Sequence, residues 1–354
     1  MTTSITLSDL YQRQITLIGE EAFEKIRNSR ILVIGAGGLG CPALQYLASS
    51  GVGEIGILDF DNVSASNLQR QILFEIDDIG RKKVEVAAEK LKKLAPFCEY
   101  RIYPGRLDEI NANEVISQFD VILDCTDNFY TKFLIHDTCF KNAKVLIQAS
   151  VYQFEGQLQL FDFRHRLGPC LRCLWPLEPL DGCTATCAEA GVMGPLLGVI
   201  GSMQAMEALK LIIGKEHINN GETLFVDLMS REFDVRRFQQ LKDCSCCVKQ
   251  EQRHREILQV DLPLKLDEFV IVDVRSLEES DQCSFITKLK EQYTVLQIPL
   301  EKMDDFVLTK NQKYLTVCAR GLRSLKACHF LRSQGLEVYS LRGGTQHILN
   351  MENV

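Results

Sequence analysis

The sequence predicts an α/β chain built on a doubly wound, largely parallel sheet, with a second and smaller α/β domain after it. Three observations carry this expectation. Residues 30–40 read Arg-Ile-Leu-Val-Ile-Gly-Ala-Gly-Gly-Leu-Gly, an apolar strand entering a Gly-rich turn, and residues 42–49 then follow a helical pattern opened by Pro42. Apolar β-like runs at 54–60, 120–125 and 144–149 alternate with helical stretches such as 82–94, where Val84, Ala87, Leu91 and Leu94 recur at helical spacing. Such alternation places a parallel sheet between two layers of helices. A polar, Cys-rich stretch at 242–259 then breaks the pattern before strand signals resume at 269–274 and 314–317. The boundary falls there, giving domains 1–248 and 249–354, in line with roughly 100–200 residues per domain.

Composition narrows the function classes. With 46% hydrophobic and 25% charged residues the chain is an ordinary globular protein. Its net charge of -7 disfavours general binding to nucleic acid or anionic membranes. Residues 1–15 contain no basic region followed by an apolar stretch, so no secretory signal is expected and the location is read as cytoplasmic. The most apolar long segment, 195–213, includes Gln204, Glu207 and Lys210, which suits a buried helix better than a membrane span. Fourteen cysteines in such a chain point to metal binding or thiol chemistry and away from disulfides.

Gly35, Gly37 and Gly40 fit G-x-G-x-x-G directly after a strand, with Gly38 inside the motif. Glycines there permit a tight turn and let a phosphate approach backbone N–H groups at a helix N-terminus, the Rossmann-like arrangement. Asp59 lies 24 residues after Gly35 at the end of the next strand, where a carboxylate accepts hydrogen bonds from a ribose. Two ligands fit so far: a nicotinamide or flavin cofactor, or ATP. The segment Ser66-Asn67-Leu68-Gln69-Arg70-Gln71 and Lys83 at the opening of the next helix supply cations suited to a triphosphate, whereas Lys82 reads as a solvated surface residue. Asp127, in Cys125-Thr126-Asp127-Asn128, follows the third strand run and offers an oxygen ligand for Mg²⁺.

This set resembles the MoeB/ThiF family, relatives of the ubiquitin-activating enzymes, over about residues 5–248. The resemblance implies that Asn67, Arg70 and Lys83 contact the phosphates and ribose of ATP, and that Asp127 places Mg²⁺. It also gives Arg13, within Tyr11-Gln12-Arg13-Gln14-Ile15, a role as an arginine supplied across a homodimer to the neighbour's triphosphate; Leu10 stands where a basic residue is usual. The chemistry agrees, because a carboxylate attacking the α-phosphorus is its own nucleophile and needs only alignment and charge stabilisation.

Cys170-Leu171-Arg172-Cys173 and Cys244-Ser245-Cys246-Cys247 supply two C-x-x-C pairs, for which a closed four-cysteine zinc site is the natural reading and a redox dithiol the alternative. Cys244 and Cys247 are preferred to Cys246, whose spacing makes the knuckle turn harder. The family resemblance implies the same Zn²⁺ site, structural and not catalytic. Cys41, Cys98, Cys125, Cys139, Cys283 and Cys328 read as small core residues. Cys187 matches the position of the reactive cysteine in many relatives, with Cys183 a rival nearby.

In the second domain, Tyr314-Leu315-Thr316-Val317-Cys318-Ala319-Arg320-Gly321-Leu322-Arg323-Ser324 places a cysteine at the end of an apolar strand, before a loop with two arginines and a helix starting near residue 322. Converging N–H groups and Arg320 or Arg323 favour an anionic persulfide. Cys318 to Arg323 is C-x4-R, one residue tighter than the C-x5-R phosphatase loop. With Asp273-Val274-Arg275 and Leu341-Arg342-Gly343-Gly344, the segment 255–354 resembles a rhodanese-like sulfurtransferase domain, although the turn between Arg275 and Ile298 lacks the usual Gly-His. Together the two resemblances imply adenylation of the C-terminal carboxylate of a ubiquitin-like sulfur carrier ending in Gly-Gly, then sulfur transfer from a persulfide donor such as a cysteine desulfurase. Thioester formation through Cys187 for protein conjugation, a nicotinamide oxidoreductase and a carrier-binding scaffold are the competing readings.

Overall fold

A computed structural model describes residues 6–176, 178–179, 191–250, 259–260 and 266–345. Cys183 and Cys187 lie outside the described residues. The chain divides into two compact units, Met1–Gln252 and Arg253–Val354.

The first unit opens with α1 (Leu7–Ile18), started by a capping box in which Thr6 and Asp9 satisfy each other's backbone N–H groups, and α2 (Glu20–Arg27). Then come β1 (Arg30–Ile34), α3 (Gly40–Ser49), β2 (Glu54–Leu58), α4 (Lys83–Leu94), β3 (Glu99–Tyr103), α5 (Ala112–Ser117), β4 (Val121–Asp124), α6 (Phe129–Lys141) and β5 (Val145–Tyr152). The unit continues with β6 (Glu155–Asp162), α7 (Leu171–Leu174), α8 (Gly194–Ile212), β7 (Glu222–Asp227) and β8 (Glu232–Arg237).

Its sheet has the order β3-β2-β1-β4-β5-β6-β7-β8. The first five strands pair in parallel and the last three join antiparallel. The central parallel strands are rich in Ile, Leu and Val because both faces are covered. Ile31, Val33, Leu123 and Ile147 pack on one side against α3 and α8, while Leu32, Ile34, Ile122 and Leu146 pack on the other with α5 and α6. The chain runs outward from β1 to β3 and returns to place β4 on the other side of β1. That reversal opens a crevice at the carboxyl ends of β1 and β4, where ligands of open α/β sheets gather.

α8 is the long apolar segment. It is long and apolar enough to cross a membrane by composition, but half of its apolar window is buried in the protein. Gln204 within it is fully buried and donates from Nε2 to the carbonyls of Asp124 and Ile147, at 3.0 and 3.2 Å. It is a core helix that caps strand ends.

The second unit contains β9 (Gln259–Val260), β10 (Phe269–Asp273), α9 (Leu277–Asp281), α10 (Ser284–Gln292), β11 (Val295–Gln297), β12 (Lys313–Val317), α11 (Leu322–Ser333) and β13 (Glu337–Leu341). Its five strands are parallel, in the order β11-β10-β12-β13-β9. The carboxyl ends of the central strands β10 and β12 therefore lie side by side, bringing Arg275 and Cys318 to one edge of the sheet.

Candidate functional site

The Gly-rich turn is built by exclusion. Gly35 has φ +98°, and a Cβ there would sit 2.8 Å from the Cys125 carbonyl oxygen; one on Gly40 would sit 1.9 Å from that of Gly35. Neither position admits a side chain without moving backbone. Gly38 is closed off by Leu197 of α8, 2.7 Å from its ideal Cβ. Gly37 is different: its nearest neighbour is Gln71 Nε2 at 3.8 Å, so this residue keeps its backbone approachable.

Asp59, buried at the end of β2, holds the turn in place. Its Oδ2 accepts from the Ala36 N–H at 2.7 Å and its Oδ1 from the Asp61 N–H at 2.8 Å. Burial raises the Asp59 pKa, opposed by the positive charge of Lys83. Lys83, buried at the start of α4, donates to Asp61 Oδ2 at 2.9 Å, so the lysine is held beside Asp59 with a half-exposed counter-ion. Lys82 is on the surface, donating to the Phe60 carbonyl at 3.3 Å. Asn67 donates to Ser64 and Ser66 and accepts from Gln71 Nε2 at 2.7 Å; Arg70 is half-buried and donates to the Ser66 carbonyl at 3.0 Å. Asp127, just past β4, is exposed and has no polar partner among the described residues. Cys125, two residues before it, packs against Gly35, which puts the Asp127 turn beside the Gly-rich turn. Arg13 is exposed on α1 and makes no polar contact among the described residues.

The cysteine cluster lies on the opposite side of the sheet from α8. Sγ atoms of Cys170, Cys173, Cys244 and Cys247 all fall within 4.8 Å of one another, and all four residues are buried. The separations are 4.0 Å for Cys170–Cys173, 3.7 Å for Cys170–Cys244 and 3.4 Å for Cys173–Cys247. A tetrahedral ion with metal–sulfur bonds of about 2.3 Å needs sulfurs about 3.8 Å apart, so the four thiols fit zinc. Behind them, His136 accepts from the Leu171 N–H at Nε2, 3.1 Å, while Asp137 meets His136 Nδ1 at 2.9 Å and Arg172 through two bonds of 2.8 and 2.6 Å. This network locks the first knuckle onto α6. Cys246 forms a second group with His136 and Cys170.

In the second unit, Cys318 is buried at the end of β12. Its Sγ accepts from the Gly321 N–H at 3.1 Å and donates to Ser324 Oγ at 3.4 Å. Gly321 has φ +88° and abuts Gly343, while an ideal Cβ on Gly344 would lie 2.4 Å from the Cys318 carbonyl oxygen; the Gly-Gly pair is what lets the two loops close on each other. Arg320 is exposed. Arg323 is committed to Glu279 in a two-bond ion pair at 2.7 and 2.8 Å, so its charge is compensated. Cys283 is a buried core residue beside Ile271, Phe285 and Leu289. Burial pushes its pKa up, yet the Ile286 N–H and the Arg275 guanidinium outweigh this and leave it lowered. At Cys41 burial prevails, and the thiol is pushed up to about 12.

Residues 11–248 match the ThiF family. The chain belongs to that family. This ThiF-family chain is 38% identical over 255 residues, 71% of its length and 94% of the relative's, to a "Sulfur carrier protein adenylyltransferase" of Thermus thermophilus. It is 35% identical over 360 residues, 96% of its own length and 90% of the other's, to a "Probable molybdopterin-synthase adenylyltransferase" of Porphyra purpurea. With an "Adenylyltransferase and sulfurtransferase MOCS3" of Drosophila grimshawi it shares 32% identity over 94% of this chain and 82% of that one. Among solved structures, E. coli MccB with ATP superposes with TM-score 0.60 at 19% identity, covering 68% of this chain and 74% of that one, a likeness of fold.

The ThiF-family fold thus gathers Gly37, Asp59, Lys83 and Asp127 at one end of the parallel strands and the four zinc-type cysteines elsewhere. Several residues around the first group were not read from sequence. Asp61 holds Lys83, and a fully buried Asp124, paired with Lys132, ends the strand that leads to Asp127. Their only signal was adjacency to the motifs.

Proposed function

We propose that this chain uses ATP to adenylate the C-terminal glycine carboxylate of a ubiquitin-like sulfur carrier ending in Gly-Gly, and that Cys318 then delivers sulfur to form a thiocarboxylate. The observation that carries this reading is the combination, in one chain, of the Gly37, Asp59, Lys83 and Asp127 cluster with a separate unit whose Cys318 Sγ is held by a backbone N–H. Relatives that span nearly the whole chain bear both activities in their names.

The carrier carboxylate attacks the α-phosphorus and pyrophosphate leaves, giving an acyl adenylate. Gly37 keeps the backbone open for phosphate, Asp59 faces the ribose, and Asn67, Arg70 and Lys83 meet the negative oxygens. Asp127, a free carboxylate, would hold the Mg²⁺ that comes with ATP and neutralises its phosphates. Zn²⁺ on Cys170, Cys173, Cys244 and Cys247 would be structural, since the four thiols fill its coordination. A terminal persulfide sulfur on Cys318, loaded by a donor such as a cysteine desulfurase, attacks the acyl carbon and displaces AMP. The acyl disulfide so formed is cleaved by a second thiol, which releases the thiocarboxylate and leaves a disulfide to Cys318 for an external thiol to reduce. Cys187 is the candidate second thiol by family resemblance.

An apolar groove of about 760 Å³ between α3 and α8, lined by Tyr46, Ile72, Leu94 and Met203, suits a second copy of the chain. In such a homodimer the exposed Arg13 would reach the neighbour's triphosphate. The composition and the burial of α8 favour a cytoplasmic enzyme acting apart from membranes and nucleic acid.

Pyrophosphate exchange with the carrier that copurifies with the chain tests the first step, and Asp127→Ala should abolish it in folded protein. Cys318→Ala should retain exchange while losing thiocarboxylate formation from a persulfide donor. Normal exchange in the first variant, or normal thiolation in the second, would remove that residue from the scheme.

A further inference from the structure

We propose that Lys132, Asp124 and Thr126 form a buried clamp that aims Asp127, acting as positioning residues for the divalent cation that accompanies the nucleotide. The inference rests on Asp127 being the cation's carboxylate. Asp124, the last residue of β4, is fully buried, and both its oxygens are occupied. Oδ2 accepts from Lys132 Nζ at 3.1 Å; Oδ1 accepts from the Thr126 N–H at 2.9 Å and from the Thr126 hydroxyl at 2.6 Å. Lys132, itself buried on α6, also donates to the Ala149 carbonyl at 2.7 Å, tying β4 to β5. On the far side of Asp127, Asn128 caps α6 by accepting from the Thr131 N–H at 2.8 Å. Every polar side chain of the turn from Asp124 to Asn128 is therefore engaged with protein except Asp127, which is exposed and unpaired among the described residues.

The energetics favour geometry over stability as the use of this pair. A buried ion pair recovers its desolvation cost only partly, and apolar residues of similar volume usually hold a fold as well or better. What the pair supplies is direction. Asp124 sets the Thr126 backbone, and through one further peptide the Cα–Cβ vector of Asp127 beside the Gly-rich turn. A carboxylate already aimed loses less freedom on binding a cation.

The test uses the full chain, Mn²⁺ as the paramagnetic probe with ATP, electron paramagnetic resonance to measure bound Mn²⁺, and thermal unfolding in parallel. Thr126→Val keeps the shape but removes the hydroxyl donor; it should weaken Mn²⁺ binding in the presence of ATP by roughly tenfold, and Thr126→Ser should restore it. The double variant Asp124→Leu with Lys132→Met leaves no orphan charge, so it should still fold, and it should bind Mn²⁺ with ATP more weakly. Asp127→Ala separates the two claims. If it weakens binding while Thr126→Val and the double variant bind as wild type, the clamp is wrong and the role of Asp127 stands. If Asp127→Ala itself binds as wild type, the role of Asp127 fails and the clamp with it. Should the double variant not fold, the comparison of Thr126→Val with Thr126→Ser decides.

Discussion

Gly37 and Gly40 belong to one turn and differ in what a methyl group would meet there. On Gly40 it would overlap the Gly35 carbonyl oxygen at 1.9 Å, a backbone atom that cannot swing away. Gly40→Ala should therefore lower stability by about 2 kcal/mol or more. Gly37→Ala meets only the end of the Gln71 side chain at 3.8 Å, so it should unfold like wild type in urea yet bind ATP more weakly by calorimetry. Equal loss of stability in both variants would contradict this division. The Glu279–Arg323 pair permits a pH prediction. Arg323 beside Glu279 holds its carboxyl down at about 2, from an ordinary 4.5. Because the folded value is the lower one, the pair stabilises the protein fully above pH 4.5 and loses that contribution as pH falls toward 2. Glu279 is 44% exposed, so screening keeps the effect small. Glu279→Gln should cost under about 1 kcal/mol at pH 7, and urea titrations should show the difference from wild type vanishing as the solution is acidified through that window.

Among the elements, the two cysteine knuckles join distant parts of the chain. One follows β6 and the other lies beyond β8, so the four thiols join segments more than seventy residues apart. A zinc ion held there would link the ends of the antiparallel extension to α6, and structural zinc contributes folding free energy directly. Protein purified without chelator should contain about one zinc per chain. Cys244→Ser should lose the metal and unfold at a clearly lower temperature, whereas Cys246→Ser should keep both metal and stability. Loss of zinc in the Cys246 variant would mean that the group with His136 and Cys170 takes part in holding it. Spacing alone favoured Cys247 over Cys246, and the separations agree, because a two-residue gap lets the knuckle turn close around an ion. The His136–Asp137–Arg172 network was not legible. A histidine, an aspartate and an arginine in helical segments read as surface residues until their burial is known.

For the whole molecule, the division of labour follows the division of the fold. The first unit carries an open nucleotide crevice at its switch point, and the second holds a thiol at the end of a parallel strand. Separate loss of exchange and of thiolation in the Asp127 and Cys318 variants is the outcome this arrangement predicts, as each residue sits in its own compact unit. The α/β class, the alternation of strands with helices and the Gly-rich turn were all readable because they depend on local periodicity and on glycine's backbone freedom. Strand and helix ends shifted by one to three residues, as with α3, which starts at Gly40 and not at Pro42; capping and close packing set those ends.

Chain order alone was enough to name the nucleotide motifs, to place a domain boundary at the Cys-rich approach, and to pick from fourteen cysteines the four whose thiols the fold brings together. These features lie in short windows, where spacing reflects the reach of a turn or knuckle. Only the folded structure disclosed the partners of these motif residues. Asp59 turned out to brace the Gly-rich turn through two backbone N–H groups, Lys83 to be held by Asp61, and Arg323 to be committed to Glu279. It alone disclosed the buried Lys132–Asp124 pair, because a charged side chain reads as solvated in sequence. Burial and partner are set by strands and helices that meet only when the sheet is assembled.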